Sequence, residues 1–165
     1  MQRIGLGVDV HAFAPDRKLI LGGVEIPHTQ GLLGHSDADV LVHAIMDSLV
    51  GALRAGDIGK LFPDTDPAYE GANSIELLQQ VGVLVRESGF AIVDIDSVIC
   101  IQKPRISPYR EQMRVNISKA LSIPIENIGI KATTTEWLGF EGREEGVSAQ
   151  AVCLLESVRS NPHVC

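Results

Sequence analysis

The segment GVSAQAVCLL, residues 146 to 155, constrains the fold more than any other stretch, because a strand running along it is apolar on both faces. One face carries Val147, Ala149, Ala151, Cys153 and Leu155, and the other still carries Val152 and Leu154. A sheet containing this strand needs cover on both sides, and the helices of one chain cover only one. We therefore expect sheets from several copies to meet on a symmetry axis.

The rest of the chain supplies the partners of that strand. Residues 3 to 10, RIGLGVDV, read as a strand, and 19 to 26 as a hairpin turning at Gly22 and Gly23. From Asp39 the apolar residues fall at helical spacing until Gly56. A second helix spans NSIELLQQVGVLVRESG, with Asn73 or Ser74 as cap and Gly89 beyond its end. Residues 90 to 102 alternate like a strand. A third helix follows, with Ser107 as cap, Pro108 in its first turn, and Met113, Ile117 and Leu121 on one face. Strands at 127 to 133 and 146 to 155 complete the set. DIGKLFPDTDPAYEGA and LGFEGREEG read as loops. This order predicts a single α+β domain, a mixed four-stranded sheet with helices on one face plus a small β-hairpin.

At 165 residues, 45% of them hydrophobic, the chain is long enough for one domain with its own core. Its 14 Lys and Arg against 21 Asp and Glu give a net charge of −7, which repels nucleic-acid backbones. A small phosphorylated ligand remains compatible, provided that cations and backbone N–H groups neutralise it locally. The three cysteines form no CxxC pair, and no stretch is long enough to span a bilayer, so we expect a cytoplasmic protein without membrane contact.

Asp9 and His11 lie two apart in a strand, so both side chains leave one face and can reach one ion. His43, within the first helix, adds an imidazole. Three protein donors without a cysteine match a catalytic zinc site with one open position. Asp39 and Asp47 flank His43 at four-residue spacing, and either can orient its other ring nitrogen. His35, Ser36, Asp37 and Asp39 precede the same helix, whose N-terminus favours phosphate, although Ser36, Asp37 or Asp39 can equally serve as its cap. KATTTEWLGFEGR sets three hydroxyls and Glu136 at the end of a strand, where oxygen ligands suit a hard cation such as magnesium that bridges phosphates.

Together, GVDVHAF, GGVEIP, GLLGHSDADVLVHAIMDSLVGA, GDIGKLFPDTDP and KATTTEWLGFEGREEG resemble the 2-C-methyl-D-erythritol 2,4-cyclodiphosphate synthase family, in the family's order, from about residue 3 to 158. The resemblance implies a synthase domain over 1–158 followed by a tail at 159–165. It implies a homotrimer, with sheets facing the three-fold axis and active sites between subunits. The substrate it implies is 4-diphosphocytidyl-2-C-methyl-D-erythritol 2-phosphate, whose 2-phosphate attacks the β-phosphorus and expels CMP in the non-mevalonate route to isoprenoid precursors. Such an enzyme is a phosphorus–oxygen lyase.

Carried over by motif, zinc falls on Asp9, His11 and His43, and magnesium or manganese on Glu136. Transition-state phosphate contacts fall on His35 and Thr134, with Ser36, Thr133 and Thr135 beside them. Asp57 and Gly59 match the ribose-binding pair, with Ile58 between them also at the substrate, and Phe62, Pro63, Asp64, Thr65 and Asp66 match the loop over the methylerythritol portion. The cytosine pocket falls on Ile101, Gln102, Lys103, Pro104, Arg105, Ile106 and Ser107, with Lys103 and Arg105 replacing the family's commoner small residue and lysine. Phe140 and Arg143 match positions near the trimer channel, where an isoprenoid diphosphate binds in some members. Val8 stands where some members carry an aromatic residue. Two other functions fit the same residues. One is a zinc hydrolase with His35 or Asp64 as base; the other is a non-catalytic module binding nucleotide or isoprenoid phosphates.

Overall fold

The computed structural model describes residues 1–63 and 65–158. It forms one α+β domain with a mixed sheet. In chain order the elements are β1 (Gln2–Ala14), β2 (Leu19–Leu21), β3 (Val24–Ile26), β4 (Gly31–Leu32), α1 (Val40–Leu53), α2 (Ile58–Leu61), α3 (Ser74–Glu87), β5 (Phe90–Cys100), α4 (Arg110–Leu121), β6 (Ile128–Thr133), α5 (Gly139–Gly142) and β7 (Gly146–Ser157). The tail at 159–165 and Asp64 lie outside the described residues.

The main sheet has the order β4-β1-β7-β5-β6, while β2 and β3 form a separate hairpin. Strand β7 pairs antiparallel with β1 and β5, and β6 pairs parallel with β5. Four strands were expected in this sheet. The fifth, β4, is two residues long and pairs with Phe13 and Ala14 at the end of β1, too short for any period-two signal to mark it.

The two faces of β1 explain the architecture. Gly5, Gly7, Asp9 and His11 share one face, and Ile4, Leu6, Val8 and Val10 the other. Opposite the glycines runs α1 with its small residues Ala44, Ser48 and Ala52. A Cβ built at Gly5 would stand 1.8 Å from the Ser48 carbonyl oxygen, and one at Gly7 2.0 Å from that of Ala44. Helix and strand backbones therefore touch, which brings His43 down beside Asp9 and His11. On the other side of the sheet Ile4, Leu6, Val8, Val10 and Val152 are all exposed, whereas Val147, Ala149, Ala151, Cys153 and Leu155 are buried beneath the helices. This is the apolar face that β7 led us to expect.

Several boundaries differ from expectation. Helix α1 stops at Arg54, which turns left-handed while the Ala55 N–H reaches the Val50 carbonyl; Gly56 lies two residues further on. Helix α4 begins at Arg110 without a side-chain cap, because Ser107 instead accepts a bond from Arg105 Nε. Short helices α2 and α5 interrupt the two segments read as loops. Among the described residues, no helix is long and apolar enough to cross a membrane.

Candidate metal centre and nucleotide pocket

Asp9 and His11 project from the helix-facing side of β1, and His43 meets them one turn into α1. Asp9 Oδ2 lies 2.9 Å from His11 Nε2 and 3.0 Å from His43 Nδ1, and the two nitrogens are 3.2 Å apart. Donors held tetrahedrally around an ion at about 2.0 Å stand roughly 3.3 Å from one another, so these three fit one metal within a few tenths of an ångström. Among the described residues, this is the group whose ligand atoms can share an ion. His11 Nδ1 contacts the Leu33 carbonyl oxygen at 2.6 Å. A carbonyl only accepts, so Nδ1 carries the proton and Nε2 presents its lone pair to the centre.

Burial by itself would raise the Asp9 carboxyl. Hydrogen bonds from His11 and His43, and the attraction of their charge, outweigh it and hold Asp9 well below the usual carboxylate range. Burial likewise opposes a proton on His11, but Asp9 lifts it above the ordinary 6.5. In the metal-free protein the stability contributed by His11 is therefore complete below 6.5 and is lost as pH rises through its higher folded value. The contribution of Asp9 is present above its ordinary 3.8 and is lost as pH falls through its lowered folded value. Metal binding has the opposite sign to the His11 term, because the ion displaces that proton. Competition with a chromophoric chelator should therefore show zinc bound more tightly as pH rises, by up to about tenfold per pH unit below the folded His11 value and levelling off above it.

The expected orienting groups for His43 are not those observed. Asp39 is fully buried and occupied: it accepts N–H bonds from Gly22, Gly23 and Val42, capping α1 and tying the hairpin to it. Burial pushes its carboxyl upward. Asp47 accepts the Ile58 N–H at 2.8 Å. His43 Nε2 instead meets Ser74 Oγ at 3.0 Å and Ser36 Oγ at 3.2 Å. Four-residue spacing places a carboxylate near the imidazole, but backbone donors claim both carboxylates first.

A cavity of about 250 Å³ opens over the three donors. It gathers the predicted His35, Ser36, Ile58, Gly59 and Phe62, and adds Gly34, Met46, Tyr69 and Leu77, which the sequence reading missed. Met46 lies three residues after His43, a helical signal that was available; Tyr69 had none. Its ring meets Phe62 edge-on at 5.4 Å. Asp57 caps α2 by accepting the Lys60 N–H, and the Asp66 side chain accepts the Ala68 N–H. Pro63 and Thr65 lie in the same segment and are not among the cavity's lining residues.

A second cavity, of about 410 Å³, is lined by Ile101, Gln102, Lys103, Pro104, Arg105, Ile106 and Ser107 together with Ala132, Thr133 and Thr134. Strand register fixes its relation to the first. Asp9 pairs with Ala149, Ala149 with Ile99, and Ile99 with Ala132, so both cavities sit at one end of the sheet, three strand spacings or about 14 Å apart. Glu136 lines neither cavity but is hydrogen-bonded to Thr134, which lines the second. It lies outside the Asp9, His11 and His43 group, is exposed, and accepts from Thr134 Oγ1 at 3.0 Å. Thr135 Oγ1 donates to the Leu138 carbonyl. Glu136 and Trp137 both have left-handed backbones, and Gly142 leaves room for the Trp137 main chain, which a Cβ there would approach to 2.2 Å. Phe140 is half-buried, and Arg143 makes a two-pronged pair with Glu145.

The fold and donor set define an α+β protein with a candidate divalent-metal centre beside a polar cavity. Residues 2–156 match the YgbB family, and the chain belongs to it. The 2-C-methyl-D-erythritol 2,4-cyclodiphosphate synthase of Clostridioides difficile (strain 630) is 61% identical over 153 residues, 93% of this chain and 95% of the relative. That of Desulfitobacterium hafniense (strain DSM 10664 / DCB-2) is 58% identical over 157 residues, 94% of this chain and 99% of the relative. The solved Plasmodium falciparum IspF CDP complex has a TM-score of 0.85 at 35% identity, covering 96% of this chain and 97% of that one. The bifunctional IspDF of Campylobacter jejuni gives a TM-score of 0.91 at 44% identity over 95% of this chain, which spans 42% of that protein's length.

Proposed function

We propose that this chain is a cyclodiphosphate synthase in isoprenoid biosynthesis. It converts 4-diphosphocytidyl-2-C-methyl-D-erythritol 2-phosphate into 2-C-methyl-D-erythritol 2,4-cyclodiphosphate and CMP. The observation that carries this reading is the convergence of Asp9, His11 and His43 beside a polar cavity, in a chain about 60% identical to named synthases over most of its length. An oxygen of the substrate's 2-phosphate attacks the β-phosphorus as the bond to the CMP oxygen breaks, so no protein nucleophile is needed. Binding must therefore do the work, holding the attacking and leaving oxygens in line. In this reading a zinc ion on Asp9, His11 and His43, and a magnesium or manganese ion on Glu136 and the phosphates, supply charge stabilisation when bound.

The chain's own residues do the positioning. His35, Ser36 and the Thr133–Thr135 hydroxyls donate to phosphate oxygens, the threonines turning from the Thr134 carbonyl, Glu136 and the Leu138 carbonyl that they otherwise bond, with His35 and Thr134 nearest the transferring group. Asp57, Ile58 and Gly59 hold the ribose. Phe62 to Asp66 close over the methylerythritol carbons, and residues 101–107 read the cytosine largely through backbone groups. Phe140 and Arg143 face the neighbouring subunit or the channel, where an isoprenoid diphosphate is a further ligand.

Assembly as a homotrimer completes the site. The exposed apolar face of β1 and β7 gains cover when three copies meet on an axis. In such a ring the β1 edge of one copy adjoins the β6 edge of the next, so the metal centre of one faces the nucleotide pocket of its neighbour. Sedimentation at micromolar concentration should give three chains per particle. Glu136→Gln should raise the magnesium concentration needed for half-maximal rate about tenfold and leave zinc content intact, since the ions have separate ligands. Unchanged magnesium dependence would remove Glu136 from the site. Turnover in oxygen-18 water tests the function itself: cyclisation leaves the label in solvent, whereas labelled phosphate product would establish a hydrolase instead.

A further inference from the structure

Behind the metal centre lies a hydrogen-bonded chain that no substrate contact accounts for. His43 Nε2 faces Ser74 Oγ at 3.0 Å, and Ser74 is fully buried at the first position of α3. Ser74 is in turn held by Asp37, whose Oδ2 accepts the Ser74 N–H at 3.0 Å while Oδ1 accepts the Ser74 hydroxyl. We propose that Asp37 and Ser74 are positioning residues that fix the tautomer of His43.

The direction of every proton follows from what each group can do. An ionised carboxylate only accepts, so both Ser74 protons, on N and Oγ, point at Asp37. The Ser74 oxygen then has only lone pairs to offer His43, and Nε2 must carry the ring proton. Nδ1 faces Asp9 and His11, and with a ring proton held on Nε2 it has a lone pair to give a metal ion once one is bound there. Ser36, 3.2 Å from the same nitrogen, accepts the Ala38 N–H and lines the open cavity; its own hydroxyl proton is not committed in this way. The two imidazoles of the centre are thus fixed differently: His11 by a backbone carbonyl, and His43 by a serine whose polarity a carboxylate sets.

Asp37→Asn removes that polarity at constant shape. Oδ1 accepts the Asp39 N–H as well as the Ser74 hydroxyl, and Oδ2 the Ser74 N–H, so an Asn amide in either orientation loses an acceptor and no longer commits the serine proton away from His43 Nε2. Ser74→Ala removes the relay but keeps the main-chain bond to residue 37. In both variants, zinc affinity measured by chelator competition should fall about 10- to 100-fold. Nitrogen NMR of the zinc-loaded proteins should show a His43 Nε2 proton protected from solvent exchange in the unaltered chain and exchanging faster in both variants. Thermal midpoints of the metal-free forms control for general damage, which would move the midpoint without changing that exchange. Asp37→Asn with unaltered zinc affinity and an Nε2 proton as protected as in the unaltered chain would overturn the proposal. The proposal rests on the metal-centre reading, and the two fail separately: failure of the unaltered chain to bind zinc would count against the centre itself.

Discussion

Gly7→Ala should destabilise the fold by at least about 3 kcal/mol, lowering the thermal midpoint by roughly 10 °C, or leave no folded protein at all. The new methyl would stand 2.0 Å from the Ala44 carbonyl oxygen and 2.7 Å from the Ser48 nitrogen, both main-chain atoms of α1 that no rotamer change can move. Relief requires the helix to lift off β1, and His43 rides on that helix, so any folded remainder should also bind metal poorly. Gly51→Ala is the control. It lies in the same helix, but its added Cβ finds only the Leu6 carbonyl oxygen, at 3.9 Å, an ordinary contact. There alanine should be neutral or stabilising by up to about 1 kcal/mol, because it narrows the unfolded ensemble and suits a helix. Thermal denaturation of the two variants side by side separates a backbone-contact requirement at Gly7 from a general intolerance of alanine. Equal midpoints would contradict the close packing of α1 on β1.

His43→Ala should abolish turnover, with kcat down on the order of 10³-fold or more, the rate equivalent of about 4 kcal/mol of charge stabilisation. The substitution removes one of three donors and leaves Asp9 and His11 two apart on a strand, a pair too few to retain the ion against a chelator. The apolar face of the sheet is remote from this change, so the particle should keep the mass of the unaltered protein in sedimentation. A binding module in which the metal serves only affinity predicts something different, weaker ligand binding with no turnover to lose. Following CMP release by the unaltered chain and the variant, at saturating substrate, distinguishes the two.

The sequence revealed those features that are local. Asp9 and His11 share a face because strands alternate, and Gly5 and Gly7 share it too, so the strand that carries two ligands also makes room for the helix that brings the third. The apolar outer face was visible because Val152 and Leu154 interrupt an alternation that a solvent-facing strand would have kept polar. Competition for hydrogen bonds was not visible. Asp39 and Asp47 have the right spacing to orient His43, yet hairpin amides and the start of α2 take them, and the group that does orient it arrives from α3, thirty-one residues away. Tyr69 reaches the cavity through a loop whose path follows from no periodic pattern. Strand β4 and helices α2 and α5 are shorter than the window over which a period can be recognised.

On this reading of the site, Asp9, His11 and His43 hold one transition-metal ion that turnover requires. Elemental analysis of the purified protein, combined with a turnover assay on the same sample before and after chelator treatment, tests it most directly. One zinc per chain is expected, with CMP release lost when the zinc is stripped and both recovered on adding it back. An active preparation that contains no transition metal would contradict it.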